Sequence, residues 1–200
     1  VIVWGTEPEG IAAAVSAARN GLHTLLLDHR DRVGGLFILG ELNFLDMNYD
    51  SRRQLVTRGL FEEFYRKAGG MVFDLPHGEE VFREMLSGEP LITLKLNYHL
   101  LEPIPAAGDR EIAGIRVRNP AGEIEEFFGR IIIDASQDAD LAVLAGVPFT
   151  YGLADAGLPG RAQAATLIFR VKGVHWPTIM WETLVKDRRE TSKATFRAAW

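Results

Sequence analysis

The residues best suited to chemistry lie between Gly5 and Gly35. They are Gly5, Glu7 and Gly10, then Asp28, then the tetrapeptide Arg32-Val33-Gly34-Gly35. A glycine turn that opens a helix can receive a pyrophosphate, because first-turn N–H groups and the helix dipole both favour an anion. A carboxylate at the end of the following strand can accept the hydroxyls of a ribose. Gly5 to Gly10 keeps the spacing of G-x-G-x-x-G with Glu7 in the middle glycine slot. Gly5 permits the tight turn, and Gly10 permits close packing of helix on strand.

These residues need elements to hold them, and the flanking sequence supplies a complete set. Val1–Trp4 is a short apolar run of the kind a parallel strand buries. Ile11–Arg19 is rich in alanine, so its helix can lie close to a sheet, and Asn20-Gly21 stops it. His23–Leu27 forms a second buried-type strand and delivers Asp28 at its end. The reading is a βαβ dinucleotide site.

Beyond Asp28, a glycine doublet at Gly34-Gly35 follows the second strand, a feature that nicotinamide-only folds do not need. Here the chain resembles the FAD-dependent oxidoreductases of the glutathione-reductase-like superfamily, which carry a basic residue and a Gly-Gly doublet after the ribose acid. More narrowly it is similar to a bacterial family whose opening reads roughly VYGGTPAGIAAA…AARxG…LLLE…LGG. GLFEEFY at Gly59–Tyr65, IIIDASQDADLAVLAG at Ile131–Gly146 and QAATLIFRVKG at Gln163–Gly173 resemble later motifs of that family.

The resemblance implies FAD bound in extended form. The implied cofactor-binding set is Gly5, Glu7, Gly10, Asp28, His29, Arg32, Gly34, Gly35, Leu36, Leu100, Ala135, Ser136 and Asp138. It places Gly35 where a missing side chain lets the backbone approach the ribityl-phosphate portion, and Asp138 near the ribityl and phosphate region. Asn43, Asp46 and Arg53 fall in or just after the segment that runs beside the isoalloxazine in such proteins. The implied reaction is hydride transfer between a small organic substrate and the flavin, with the catalytic residues unassigned. An NAD(P)-dependent Rossmann enzyme and a non-catalytic nucleotide-binding module of a larger complex are the alternatives.

Two positions depart from the family pattern. Ser136-Gln137 stands where Thr-Gly is usual, and Glu7 replaces the small residue that faces the pyrophosphate. A carboxylate about 4 Å from a phosphate would cost on the order of 4 kcal/mol at an effective dielectric near 20. The Glu7 side chain is therefore expected to point away, or to bind free N–H groups at the start of its own helix.

Composition agrees. The 200 residues carry a net charge of −5 with 47% hydrophobic content, enough for one domain with a real core, or for one domain and part of another. The lack of a basic cluster argues against nucleic acid or an anionic membrane as the main partner, and no run approaches the roughly 18 apolar residues of a membrane span. With no leader segment visible, a cytoplasmic location is expected, although the chain opens at Val1 without a methionine. Zero cysteines removes, within these residues, a redox-active disulfide, a cysteinyl flavin link and cysteine-ligated clusters. His77, His99 and His175 lack a partner at ligand spacing, and Asp134, Asp138 and Asp140 read as strand-end and helix-start residues, so no metal is expected.

The remaining pattern predicts an α/β fold with a parallel sheet and a β-meander, and the resemblance implies that it is a Rossmann-like FAD-binding domain over 1–150 with a helical insertion about 41–88, followed by the start of a substrate domain over 151–200. Helices are expected at Gln54–Ala68 and Glu79–Leu86, and one strand at Leu91–Leu101. A hairpin turns at Asn119-Pro120-Ala121-Gly122, and a buried parallel strand runs over Arg130–Ala135. After a glycine-rich loop at Gly152–Gly160, a strand is expected at Thr166–Val171 and a polar helix at Pro177–Arg188, with Trp176 and Trp181 as core or interface aromatics.

Overall fold

The computed structural model describes residues 1–108, 111–175 and 177. The chain divides into a unit spanning Val1–Ala164 and a second spanning Ala165–Trp200. In the first unit, β1 (Ile2–Trp4), β2 (Thr24–Leu27), β3 (Ile92–Lys95) and β7 (Ile132–Asp134) form an all-parallel sheet in the order β3-β2-β1-β7. A meander of β4 (His99–Pro105), β5 (Ile112–Arg118) and β6 (Ile124–Phe128) forms a second, antiparallel sheet. The helices are α1 (Pro8–Arg19), α2 (Gly35–Ile38), α3 (Leu60–Lys67), α4 (Leu75–Ser87) and α5 (Asp140–Leu144).

Strand alternation explains the two layers. Successive side chains leave a strand on opposite faces. Val3, Leu26 and Ile133 therefore join the cluster built with Ile11, Ala14 and Val15 of α1 and Val81, Phe82 and Met85 of α4. Ile2, Trp4, Leu25, Leu27 and Ile132 enter the opposite cluster with Tyr98, Ile115 and Val117. The helical side is closed by aromatic packing, with the Phe64 and Phe82 rings stacked at 4.2 Å between centroids. Such rings dominate core energetics through the large area they bury.

Four expectations change. The helix expected from Gln54 begins only at Leu60, because Gly59 takes a left-handed φ of 72° that cannot continue a helix backwards, and Val56 is left 56% exposed. The helix expected from Glu79 starts earlier, at Leu75, with Pro76 in its first turn where the missing N–H costs nothing. The single strand over Leu91–Leu101 is two strands in different sheets, broken where Asn97 adopts φ 61°. The helix after Asp134 begins at Asp140 rather than Asp138, since Ala139 has φ 55°.

The 119–122 hairpin and the parallel β7 form as expected. Asn119 Oδ1 accepts the N–H groups of Ala121 and Glu123, a side-chain turn that pins the hairpin. In the second unit, Thr166–Val171 carries no strand pairing among the described residues, and without a partner strand its alternation has no ladder to join. The helix expected at Pro177–Arg188, apart from Pro177, and Trp176 and Trp181 lie outside the described residues.

Candidate cofactor site

The turn between β1 and α1 is shaped by backbone crowding. A Cβ on Gly5 would stand 2.3 Å from the Ala135 carbonyl oxygen, and one on Gly10 would stand 2.0 Å from the Gly5 carbonyl oxygen. Both glycines let α1 and β7 close on the turn. Ala135 is buried behind it and donates its N–H to the Trp4 carbonyl at 2.8 Å. Pro8 stands in the first turn of α1, and no described side chain caps the helix.

Asp28 closes β2 with its side chain 1% exposed. Thr6 donates to its Oδ2 from the backbone N–H at 2.6 Å and from Oγ1 at 2.7 Å. Arg30 donates its N–H and Nε to Oδ1 at 2.9 Å each, and Nη2 to Oδ2 at 2.8 Å. Five donors meet a carboxylate with about four lone-pair sites. Burial alone would raise the Asp28 pKa, but the Arg30 fork and the Thr6 donors outweigh it and hold the carboxyl at about 2. The same contacts raise the pKa of Arg30.

Glu7 is equally buried, at 1% exposed. It does not cap its own helix, contrary to one of the two expectations for it. Helix caps use short side chains that fold back onto the N–H groups two or three residues on, and the extra methylene of glutamate carries the carboxylate past that position. Instead Oε1 takes Arg30 Nη1 at 2.5 Å and Oε2 takes the Leu36 N–H at 2.7 Å. The space beside Gly35 belongs to this carboxylate, since a Cβ there would lie 1.7 Å from Glu7 Oε2. The openness expected at Gly35 is thus filled from within the protein. Gly34, at φ 94°, faces Ile38 and Phe82 and serves packing.

The other expected residues are more dispersed. Arg32 pairs with Glu79 of α4, Nε to Oε2 at 2.7 Å. His29 is exposed beside Asp28, its Nδ1 3.4 Å from Oδ1. Leu36 is exposed on α2, and Leu100 stands opposite Val117 in the meander. Ser136 is tied to the strand end, its N–H and Oγ both donating to Asp134 Oδ1, while Asp138 is exposed. Asn43 donates Nδ2 to the Phe73 carbonyl, which is a loop-fastening role. Asp46 and Arg53 are exposed, Arg53 at φ 59°. Two residues that join the site, Thr6 and Arg30, were not singled out by the sequence pattern; the Asp-x-Arg spacing at 28–30 is the signal that points to the second. Among the described residues no group of three or more His, Cys, Asp or Glu stands together to hold a metal, and no helix is long and apolar enough to cross a membrane.

A parallel sheet, a glycine turn onto α1 and a buried strand-end acid define a dinucleotide-binding domain. The family model described as FAD dependent oxidoreductase matches residues 1–199, and the chain belongs to that family. FAD, the cofactor of that family, is the cofactor the match assigns to this chain. Among solved structures it is similar to THI4 from Thermovibrio ammonificans, at 14% identity and TM-score 0.55, over 94% of this chain and 72% of that one. It is also similar to a geranylgeranyl bacteriochlorophyll reductase-like protein from Thermoplasma acidophilum, at 18% identity and TM-score 0.51, over 74% of this chain. The chain spans 43% of that second protein's length. At these identities the likeness concerns the fold. No match is found among curated proteins.

Proposed function

We propose that the chain holds FAD in extended form, with the adenosine ribose on Asp28 and the pyrophosphate at the Gly5–Gly10 turn, and passes hydride between a small organic substrate and the flavin. The observation that carries this reading is the uncapped start of α1 beside a buried, ionised strand-end acid. The donor chemistry fits a diphosphate: first-turn N–H groups bear no described side-chain cap, and the α1 dipole places positive potential at the same point. For ribose hydroxyls to reach Asp28, the Arg30 side chain gives up its fork on that carboxylate, because the oxygens have no spare lone pairs while it stays.

Bound FAD supplies hydride acceptance and donation at its isoalloxazine. The protein's share is binding and electrostatics. Asp28 orients the adenosine half, the Gly5–Gly10 backbone admits close approach, and Ser136 and Asp138 follow β7, with the Ser136 backbone nitrogen against Gly5. With no cysteine in the chain, electrons enter and leave the flavin without a thiol relay from these residues. The flavin-binding domain is assigned to 1–150 and the beginning of a substrate domain to 151–200, with no nucleic acid or membrane as partner and with the cytoplasm as compartment. The test is the visible spectrum of the purified protein before and after denaturation, with chromatography of the released cofactor. FAD is expected; a colourless protein that releases only NAD, or a flavin released as FMN, would refute the assignment.

A further inference from the structure

Glu7 sets a problem that the fold answers with one residue. A glutamate in the middle slot of the glycine turn puts a buried negative charge where a diphosphate is to be bound. The only cation touching it among the described residues is Arg30, which reaches it at 2.5 Å while also forking onto Asp28. Arg30 is 24% exposed, so its guanidinium lies at the edge of the cluster with both acids behind it. The carboxylate is not a chance visitor. Gly35 leaves the volume it fills, and the Leu36 N–H satisfies its second oxygen.

We propose that Arg30 is a positioning residue for the cofactor, acting as the counter-ion that makes Glu7 compatible with a diphosphate. The inference rests on the assignment of FAD to the Gly5–Gly10 turn. Its physical content is that an ion pair presents far less repulsion to a nearby phosphate than a lone carboxylate does, and that a buried charge stripped of its partner is strongly unfavourable. Because the guanidinium spans both acids, it can leave Asp28 to the ribose and remain on Glu7. Arg30 therefore keeps one partner throughout, and Glu7 is never left bare.

The experiment is a double-mutant cycle on the intact chain, stripped of flavin and titrated with FAD by flavin fluorescence, with the thermal midpoint of each apoprotein measured alongside. Arg30→Gln leaves Glu7 uncompensated and is expected to weaken FAD binding at least tenfold. Adding Glu7→Gln removes that bare charge while keeping an acceptor for the Leu36 N–H, and is expected to restore at least half of the loss on a logarithmic scale. Arg30→Lys keeps the charge and is expected to bind better than Arg30→Gln; should the Gln variant fail to fold, Arg30→Lys carries the test, since a point charge without the fork is expected to bind FAD more weakly than wild type and to recover when Glu7→Gln is added, and a loss that is absent or not recovered overturns the proposal. Restoration of affinity by the second substitution while the thermal midpoints of the single and double variants stay equal is a result that a merely structural role for either residue does not produce, and restoration that simply follows the midpoints overturns the proposal. Wild-type affinity in Arg30→Gln, a deeper loss in the double variant, or an Arg30→Lys variant no better than Arg30→Gln overturns the proposal. A wild-type chain that takes up no FAD overturns the site assignment together with it, whereas uptake by wild type with additive losses overturns the counter-ion role alone.

Discussion

Replacing Asp28 by asparagine tests whether the acid's buried contacts hold the fold as well as the site. The carboxyl pKa falls from an ordinary 3.8 to about 2 in the folded protein. At 1.36 kcal/mol per pH unit, that difference contributes about 2 kcal/mol of stability. The sign follows from the direction: a depressed folded-state pKa stabilises fully above pH 4 and is lost as pH falls towards 2. At pH 3 the unfolded carboxyl is mostly protonated while the folded one remains ionised, so about 1 kcal/mol, roughly half of the contribution, has gone. Asp28→Asn keeps the shape and one acceptor but not the charge that the Arg30 fork requires. Urea unfolding of both apoproteins should therefore show a deficit of about 2 kcal/mol or more for the variant at pH 7, shrinking by about 1 kcal/mol between pH 5 and pH 3. A deficit that stays constant over this range would refute the claim that the ionised carboxylate is what Arg30 and Thr6 stabilise.

Three further outcomes are expected. Gly35→Ala should cost the protein its bound FAD, because the new Cβ meets the Glu7 carboxylate at a left-handed φ of 34°, whereas Gly122→Ala, at φ 86° with open space around it, should cost about 1 kcal/mol of stability and leave FAD retention unchanged by ultrafiltration. Gly10→Ala places a methyl group 2.0 Å from the Gly5 carbonyl oxygen, so the α1–turn contact must open, with a loss of about 1–3 kcal/mol in chemical denaturation. Phe64→Ala removes a ring stacked on Phe82 in the helical core and should cost about 3–5 kcal/mol by the same measurement.

What the sequence discloses depends on how local the cause is. Residues 1–28 are legible because each element is bounded by its own signal: an apolar run, a glycine turn, an alanine-rich helix stopped at Asn20-Gly21, and a second run ending in an acid. The hairpin at Asn119–Gly122 is legible for the same reason. The split of residues 91–101 is not, since the apolar alternation passes through Asn97 unbroken and only the left-handed φ there reveals that the two halves serve different sheets. The partners of Glu7 are also hidden. Its oxygens meet Arg30 and the Leu36 N–H only after the turn at Gly5–Gly10 and the turn at Gly34–Gly35 have been folded against each other. A charge in a glycine slot could be flagged from sequence as a conflict, but its resolution is a matter of tertiary approach.

The position of β1 carries a consequence for synthesis. This strand lies in the middle of the parallel sheet, with Ile2 opposite both Leu25 and Ile132. One neighbour leaves the ribosome almost at once, and the other is among the last elements of the first unit to be made. Until it arrives, the central strand has a bare hydrogen-bonding edge that any other extended chain can join, and the long sequence separation makes its closure slow. The nascent protein is therefore most vulnerable to misassembly after its nucleotide turn has formed and before its sheet is complete, and a product terminated ahead of residue 132 would keep that vulnerability permanently.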